Sequence, residues 1–137
     1  MTRGFRVAFL VLTWAYLAGI VVQVFLAGIG LFGAARDFSD HVNLGWILHL
    51  GPVLLLIAAA VGRAGARTLW WTAALFVSVA VQPFLPALGN DAPWAAALHP
   101  VNAMVIFWLT LSVGMQAWRL VRGQAAGTAS PTTPLMS

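Results

Sequence analysis

The sequence contains no cysteine, no lysine and no glutamate, and charged residues make up only 7% of its 137 residues. The absence of cysteine excludes disulfide bonds, thiolate catalysis, iron–sulfur ligation and cysteine-based zinc sites. Hydrophobic residues account for 61% of the chain, which is too large a share for a water-soluble surface. The sequence therefore predicts a membrane protein whose chemistry is limited to histidine, carboxylate, amide and aromatic side chains.

Four uncharged stretches of the chain are long enough to cross a bilayer, since a helix needs about 20 residues to span about 30 Å of hydrocarbon. They predict helices near residues 7–33, 41–62, 68–88 and 97–120. Short loops force neighbouring helices to pack antiparallel. The predicted fold class is therefore all-α: a transmembrane four-helix up-down-up-down bundle that forms a single domain over residues 1–122. Residues 123–137, rich in Gly, Ala, Ser, Thr and Pro, are predicted to be a disordered cytoplasmic tail.

The arginines predict the orientation, because short loops rich in basic residues stay cytoplasmic. One predicted side carries Arg3, Arg6, Arg63, Arg67, Arg119 and Arg122, and the other carries Arg36, Asp37, Asp40 and Asp91. Both termini are therefore predicted to be cytoplasmic, in a multi-pass protein of the bacterial inner membrane. The net charge of +4 comes from arginines scattered along the chain, so the expected partner is the lipid bilayer and not nucleic acid.

Polar side chains within the predicted spans collect in the outer half of the bundle. His49, Gln82 and His99 come from three different helices and lie at similar depths below the outer charged residues, with Gln23 and Asn102 slightly deeper. Polar groups in lipid need a partner or a wet cavity. The layer therefore indicates either a hydrogen-bonded contact between helices or a binding site.

The histidines offer two pairings. His41, Gly45 and His49 follow each other at steps of four along one helical stripe. His99 precedes Pro100, which fits the first turn of a helix or a kink. If the fourth helix begins near Ala92, His99 matches His49 in depth, and if it begins at Pro100, His99 rises towards His41. Buried His49 is the stronger candidate, so His49 and His99 are the predicted metal ligands.

Two imidazoles on separate helices, in apolar surroundings, suit axial ligation of a haem. No CxxCH motif is present, so the expected cofactor is non-covalent haem b. Gly45 would leave room for the macrocycle, Gln23, Gln82 and Asn102 would lie close to it, and Arg36 would pair with its propionates. One alternative is a non-enzymatic subunit or scaffold with a structural His/Gln/Asn layer, and another is a copper or zinc site of His41, His49 and His99.

Two resemblances accompany these residues. Residues 23–32 (QVFLAGIGLF), His41, Gly45, His49, residues 82–83 (QP) and residues 98–103 (LHPVNA) resemble an uncharacterised bacterial family of short four-helix integral membrane proteins. More loosely, the chain is similar to four-helix cytochromes b of the b561 type, which carry haem between helical histidines and exchange electrons with quinones or other acceptors. Those proteins typically have four haem-ligating histidines on opposite sides of the membrane. The resemblance therefore implies one haem here, with electrons handled near the outer face and a quinone or redox protein as partner.

Overall fold

The computed structural model of the protein describes residues 2–128, which form helices and connecting turns without a β-strand. The helices are α1 (Thr2–Phe32), α2 (Ser39–Leu48), α3 (Gly51–Val61), α4 (Ala66–Val81), α5 (Phe84–Ala87), α6 (Pro93–Ala96) and α7 (Leu98–Thr128). They group into four segments long and apolar enough to cross a membrane, in which α2 joins α3, α4 joins α5 and α6 joins α7. The predicted all-α class and the predicted number of spans are both confirmed.

Both ends of the helical region extend beyond the predicted limits. Helix α1 begins at Thr2 instead of near residue 7. Its early start is stabilised by Arg6, whose guanidinium donates to the carbonyls of Gly62 (2.7 Å) and Arg63 (3.3 Å). Helix α7 continues to Thr128 and so includes the first six residues of the predicted tail. Residues 129–137 lie outside the described range.

Prolines interrupt two of the four segments. The second segment breaks at His49 and Leu50, because Pro52 lacks the amide hydrogen that would bond to the Leu48 carbonyl. The third breaks after Val81, where Pro83 has the same effect on the carbonyl of Val79. Each break lies in the half of the bundle that also contains the polar layer.

The four segments pack in a ring, in which α7 and α3 each contact both α1 and α4. The buried core is concentrated towards the arginine-rich end, where its large members are Phe9, Leu55, Leu75 and Val113. Helices α2 and α5, at the opposite end, contain no buried residue. The bundle is therefore tightly packed in one half and looser in the half that holds the histidines.

The turn that enters α2 fixes the position of His41. Arg36 adopts a left-handed backbone conformation with φ of 48°, which turns the chain back after α1. Phe38 then packs over Gly30, where an added Cβ would lie 2.6 Å from the phenyl ring. Asp37 accepts hydrogen bonds from the backbone N–H and the hydroxyl of Ser39, and these bonds lower the pKa of Asp37. His41 consequently lies in the first turn of α2, against α1.

Candidate functional site

A cavity of about 740 Å³ lies between α1, α2, α4 and α7 in the loosely packed half of the bundle. Most of its lining is apolar. Its polar lining comes mainly from five residues that the sequence singles out: His41, His49, His99, Gln23 and Gln82. Gly45, which the sequence also singles out, lines the cavity as well. The helices therefore bring three imidazoles and two amides to one apolar cavity.

Gln23 and His41 hold each other through two reciprocal hydrogen bonds between α1 and α2. The Gln23 amide donates from Nε2 to the backbone carbonyl of His41 at 2.6 Å. The His41 ring in turn donates from Nδ1 to the backbone carbonyl of Gln23 at 3.0 Å. Gly45 makes room for this pair, because a Cβ there would lie 3.0 Å from Gln23 Nε2. The space at Gly45, predicted to admit a cofactor, is therefore occupied by the Gln23 amide.

Gln82 and His99 repeat the same arrangement between α4 and α7. Gln82 Nε2 donates to the His99 carbonyl at 3.0 Å, and His99 Nδ1 donates to the Gln82 carbonyl at 3.1 Å. Pro86 contributes indirectly, since it has no amide hydrogen to offer the Gln82 carbonyl and leaves it free for the imidazole. Asn102 Nδ2 donates to Gln82 Oε1 at 2.6 Å and to the Ser78 carbonyl at 2.8 Å. Asn102 therefore orients Gln82 and is not itself among the lining residues.

His41 and His99, each fixed by its own glutamine, meet edge to face between α2 and α7. Their ring centroids are 6.1 Å apart and their planes meet at 69°. A carbonyl oxygen can only accept, so Nδ1 carries the proton in both rings and Nε2 keeps its lone pair. The described residues provide no hydrogen bond to Nε2 of either ring. Two ligand-competent nitrogens are therefore available on neighbouring imidazoles.

His49 occupies a different position. Its Nδ1 donates to the Gly45 carbonyl at 2.7 Å, and its ring lies 5.4 Å from that of Trp46. The aromatic ring in contact with His99 is that of His41. The fourth segment begins with α6 at Pro93, and α7 begins at Leu98, so His99 lies in the first turn of α7. Of the two pairings that the sequence leaves open, ring contact is found for His41 with His99.

Two further expectations are not met by the described residues. Arg36 is exposed in the turn after α1 and is not among the residues that line the cavity, so it is not placed to pair with a ligand there. Residues 2–128 also contain no group of three or more His, Asp or Glu side chains that could hold a metal ion. The three-histidine copper or zinc site is therefore not formed.

An internal repeat, which the sequence analysis missed, connects the two glutamine–histidine pairs. Residues 23–30 read QVFLAGIG and residues 82–89 read QPFLPALG, so that Gln, Phe, Leu and Gly recur at matching positions. His41 follows Gln23 by 18 residues, and His99 follows Gln82 by 17. Asn43 and Asn102 then follow these histidines closely. Aligning the first half of the chain with the second would have identified His41, and not His49, as the counterpart of His99.

The comparisons with known proteins reach part of this region. No curated protein and no solved structure is significantly similar to the chain, and the expected likeness to b561-type cytochromes is not shown. Residues 23–88, from the first glutamine of the repeat to just beyond the second, are similar to a family of unknown function (DUF6220).

Proposed function

We propose that this chain is an integral membrane protein that binds one b-type haem between His41 and His99, in the outer half of the bundle, and handles electrons near the outer face. The single observation that carries the proposal is the approach of two imidazoles whose Nδ1 atoms are bonded to carbonyls and whose Nε2 atoms are free. A ring held in this way is the usual form of a metal-ligating histidine, since the second-shell hydrogen bond fixes its tautomer and raises its basicity.

The distance between the rings fits a metal between them. If both rings held one iron through Nε2, a metal–nitrogen bond of about 2 Å and about 1 Å from the nitrogen to its ring centre would place the centroids about 6 Å apart. The observed separation of His41 and His99 is 6.1 Å. The cavity of about 740 Å³ lies within the usual size of cofactor sites, and its largely apolar walls suit a macrocycle. Bound haem would supply one-electron redox chemistry, and this chain would supply its orientation and its apolar surroundings.

A structural role without a cofactor is the second candidate. The reciprocal bonds of Gln23 with His41 and of Gln82 with His99 join neighbouring helices, and such contacts are worth roughly 0.6 kcal/mol each in membranes. This role explains the Nδ1 bonds but assigns no use to the Nε2 atoms of two imidazoles that lie together. The two candidates are separated by whether the purified protein carries a chromophore.

The protein purified in detergent from haem-sufficient cells is expected to show a Soret band and, after reduction by dithionite, a sharp α-band. Two nitrogen ligands from neutral imidazoles produce a low-spin iron with this spectrum. A pyridine haemochrome assay would give the haem content, which is expected to approach one per chain. Protein that stays colourless after reconstitution with haemin would contradict the haem proposal and favour the structural role.

We further propose that the four segments run up-down-up-down across the bacterial inner membrane, with both termini on its cytoplasmic side. Gln23 in the later part of α1 bonds to His41 at the start of α2, whereas Arg6 near the start of α1 bonds to Gly62 after α3. These contacts support antiparallel packing of the first two segments. The arginine-rich end would then be cytoplasmic under the positive-inside rule.

Single cysteines test this orientation without background, because the sequence has no cysteine. Asn90→Cys and Ala66→Cys both change exposed residues, in the turn before α6 and at the start of α4. In intact spheroplasts, a membrane-impermeant maleimide is expected to label Asn90→Cys, and to label Ala66→Cys only after permeabilisation. Labelling of Ala66→Cys in intact spheroplasts would reverse the proposed orientation.

A further inference from the structure

A second cavity, of about 480 Å³, lies at the arginine-rich end of the bundle, between α1, α4 and α7. Each of these helices contributes one arginine to its lining: Arg6, Arg67 and Arg119. Thr68 and Gln116 add a hydroxyl and an amide. We call this cavity the basic pocket, and it shares no lining residue with the cavity that the histidines line. Arginines that are far apart in the sequence therefore converge at one site.

The three positive charges of the basic pocket have no acidic side chain to neutralise them. The only acidic residues of the chain are Asp37, Asp40 and Asp91. The first two lie where α1 leads into α2, and the third lies between α5 and α6, so all three are at the end of the bundle opposite the pocket. Like charges that are held together repel each other, and an anion bound between them turns this repulsion into attraction. The pocket therefore favours an anionic ligand.

Arg67 and Arg119 are the arginines best placed to bind an anion. Both are exposed, and residues 2–128 provide neither of them with a hydrogen bond or an ion pair. Arg6 differs, because its Nε donates to the Gly62 carbonyl and fixes the side chain against the turn before α4. A guanidinium presents its N–H donors in a planar fork that matches two oxygens of a phosphate group. Two such forks beside a third, anchored positive charge therefore suit a phosphate.

A hydrogen-bonded pair that lines the pocket joins the helices that carry these two arginines. The buried Thr68 hydroxyl donates to Gln116 Oε1 at 3.0 Å, and Gln116 Nε2 donates to the Ser112 carbonyl at 3.3 Å. Thr68 directly follows Arg67, and Arg119 lies three residues after Gln116, on the same face of α7. Gln116 keeps a second amide hydrogen that can bond to an oxygen of the ligand. A contact between α4 and α7, and not a loop, therefore sets the spacing of the two guanidiniums.

The basic pocket lies at the level where a membrane presents its phosphate groups. Trp70, three residues after Arg67, is 76% exposed, and Trp118, next to Arg119, is 45% exposed. Exposed tryptophans are typical of the interface between hydrocarbon and headgroups. The guanidinium of Arg122 lies over the Trp118 ring, 4.7 Å from its centre. Basic pockets between membrane helices bind the headgroups of anionic lipids, so a lipid phosphate can reach this pocket without leaving the membrane.

We propose that the basic pocket binds a phosphate group, which Arg67 and Arg119 hold with Arg6 as a fixed positive charge beside them. The headgroup of an anionic phospholipid and inorganic phosphate both offer this chemistry, and experiment separates the two sources. The inference goes beyond the proposed haem function and uses no residue of the haem site.

Isothermal titration calorimetry of the protein in a neutral detergent at low salt tests the site with dihexanoyl phosphatidylglycerol, dihexanoyl phosphatidylcholine and inorganic phosphate. Phosphatidylglycerol is expected to bind roughly ten-fold or more tightly than phosphatidylcholine, because only the first lipid carries a net negative charge. Tight binding of phosphatidylglycerol without binding of inorganic phosphate would identify a lipid headgroup. Saturable binding of inorganic phosphate would show that the phosphate group alone is sufficient. Equal binding of the two lipids, or no binding of any probe, would overturn the proposal.

Paired arginine variants complete the test. Arg67→Gln combined with Arg119→Gln is expected to weaken phosphatidylglycerol binding roughly twenty-fold or more, since each basic residue near an anionic headgroup contributes about five-fold. Arg67→Lys combined with Arg119→Lys keeps both charges but loses the planar forks, and should restore part of the affinity.

Arg3→Gln combined with Arg122→Gln is the matched control, because it removes the same charge from exposed residues of α1 and α7 that do not line the pocket. The control is expected to bind phosphatidylglycerol nearly as the unaltered protein does. Equal losses in the two glutamine pairs would show that the positive end of the bundle attracts anions without a defined site, and would overturn the assignment.

The absorption spectrum of each sample separates this inference from the haem proposal. A Soret band that survives Arg67→Gln with Arg119→Gln while lipid or phosphate binding falls would support both proposals. Anion binding that depends on these arginines in a colourless protein would support this inference alone. A haem-loaded protein that binds none of the three probes would support the haem proposal alone.

Discussion

Alanine at His41 or at His99 is expected to reduce the haem content of the purified protein roughly ten-fold or more, because even groups that only orient metal ligands typically change metal affinity 10–100-fold. Each substitution removes one of the two imidazole rings that lie together at the cavity, with centroids 6.1 Å apart. The measurements are the Soret absorbance relative to protein concentration and the reduced α-band. Far-ultraviolet circular dichroism would check that the helices persist.

His49→Ala and Asn43→Ala are the matched controls for this prediction. Both change residues of the second membrane segment, and neither belongs to the pair of rings in contact. Both proteins are expected to retain the Soret band. Loss of the band in His49→Ala with retention in His41→Ala would contradict the assignment and restore the pairing of His49 with His99.

The glutamines should have smaller effects that reveal how the ligands are held. Gln82→Leu removes the amide that bonds to the His99 carbonyl and to Asn102, but it leaves the Gln82 carbonyl that receives His99 Nδ1. The Gln82 carbonyl therefore fixes the tautomer of the His99 ring, while the Gln82 side chain joins the end of α4 to α7. The orientation of the histidine rings thus depends on backbone carbonyls, whose positions cannot be obtained from the sequence alone.

The features that follow from the cost of placing charged or polar groups in lipid could be predicted from the sequence. Four uncharged stretches imply four spans, because a charged side chain in hydrocarbon is costly. Each span must be helical, because unpaired backbone groups in hydrocarbon are costly as well. The same argument indicated that Gln23, Gln82 and the three histidines needed partners, and all five line one cavity. Pro86 lacks an amide hydrogen for the Gln82 carbonyl, and that carbonyl accepts a hydrogen bond from His99 Nδ1.

The features that depend on helix register could not be obtained from solvation alone. His41 and His49 both occupy the outer half, and depth estimated at about 1.5 Å per residue does not decide which ring faces His99. That choice depends on the helix break at His49 and on the start of α7 at Leu98. The role of Gly45 was also hidden, because it depends on where the Gln23 side chain of another helix lies.

Gly51→Ala is expected to destabilise the bundle by about 1–3 kcal/mol, the usual cost of overpacking a tight contact. Gly51 begins α3 directly after the helix break, and a Cβ there would overlap Cδ2 and Cε2 of the Tyr16 ring. Tyr16 is only 7% exposed and also lines the cavity. The ring must therefore move within a packed environment or shift towards the space proposed for haem. Thermal unfolding in detergent, followed by circular dichroism, would measure the loss as a drop of several degrees in the midpoint.

Gly28→Ala is the matched control, because it adds the same methyl group to a helical glycine whose Cβ would meet nothing within 4 Å. Alanine is the better helix former, so the midpoint of Gly28→Ala should be unchanged or slightly higher. If both variants melt alike, Tyr16 has room to move and the close approach of Gly51 to its ring is not a constraint. A lower midpoint for Gly51→Ala alone, together with reduced haem content, would show that the contact holding Tyr16 at the cavity wall also preserves the shape of the site.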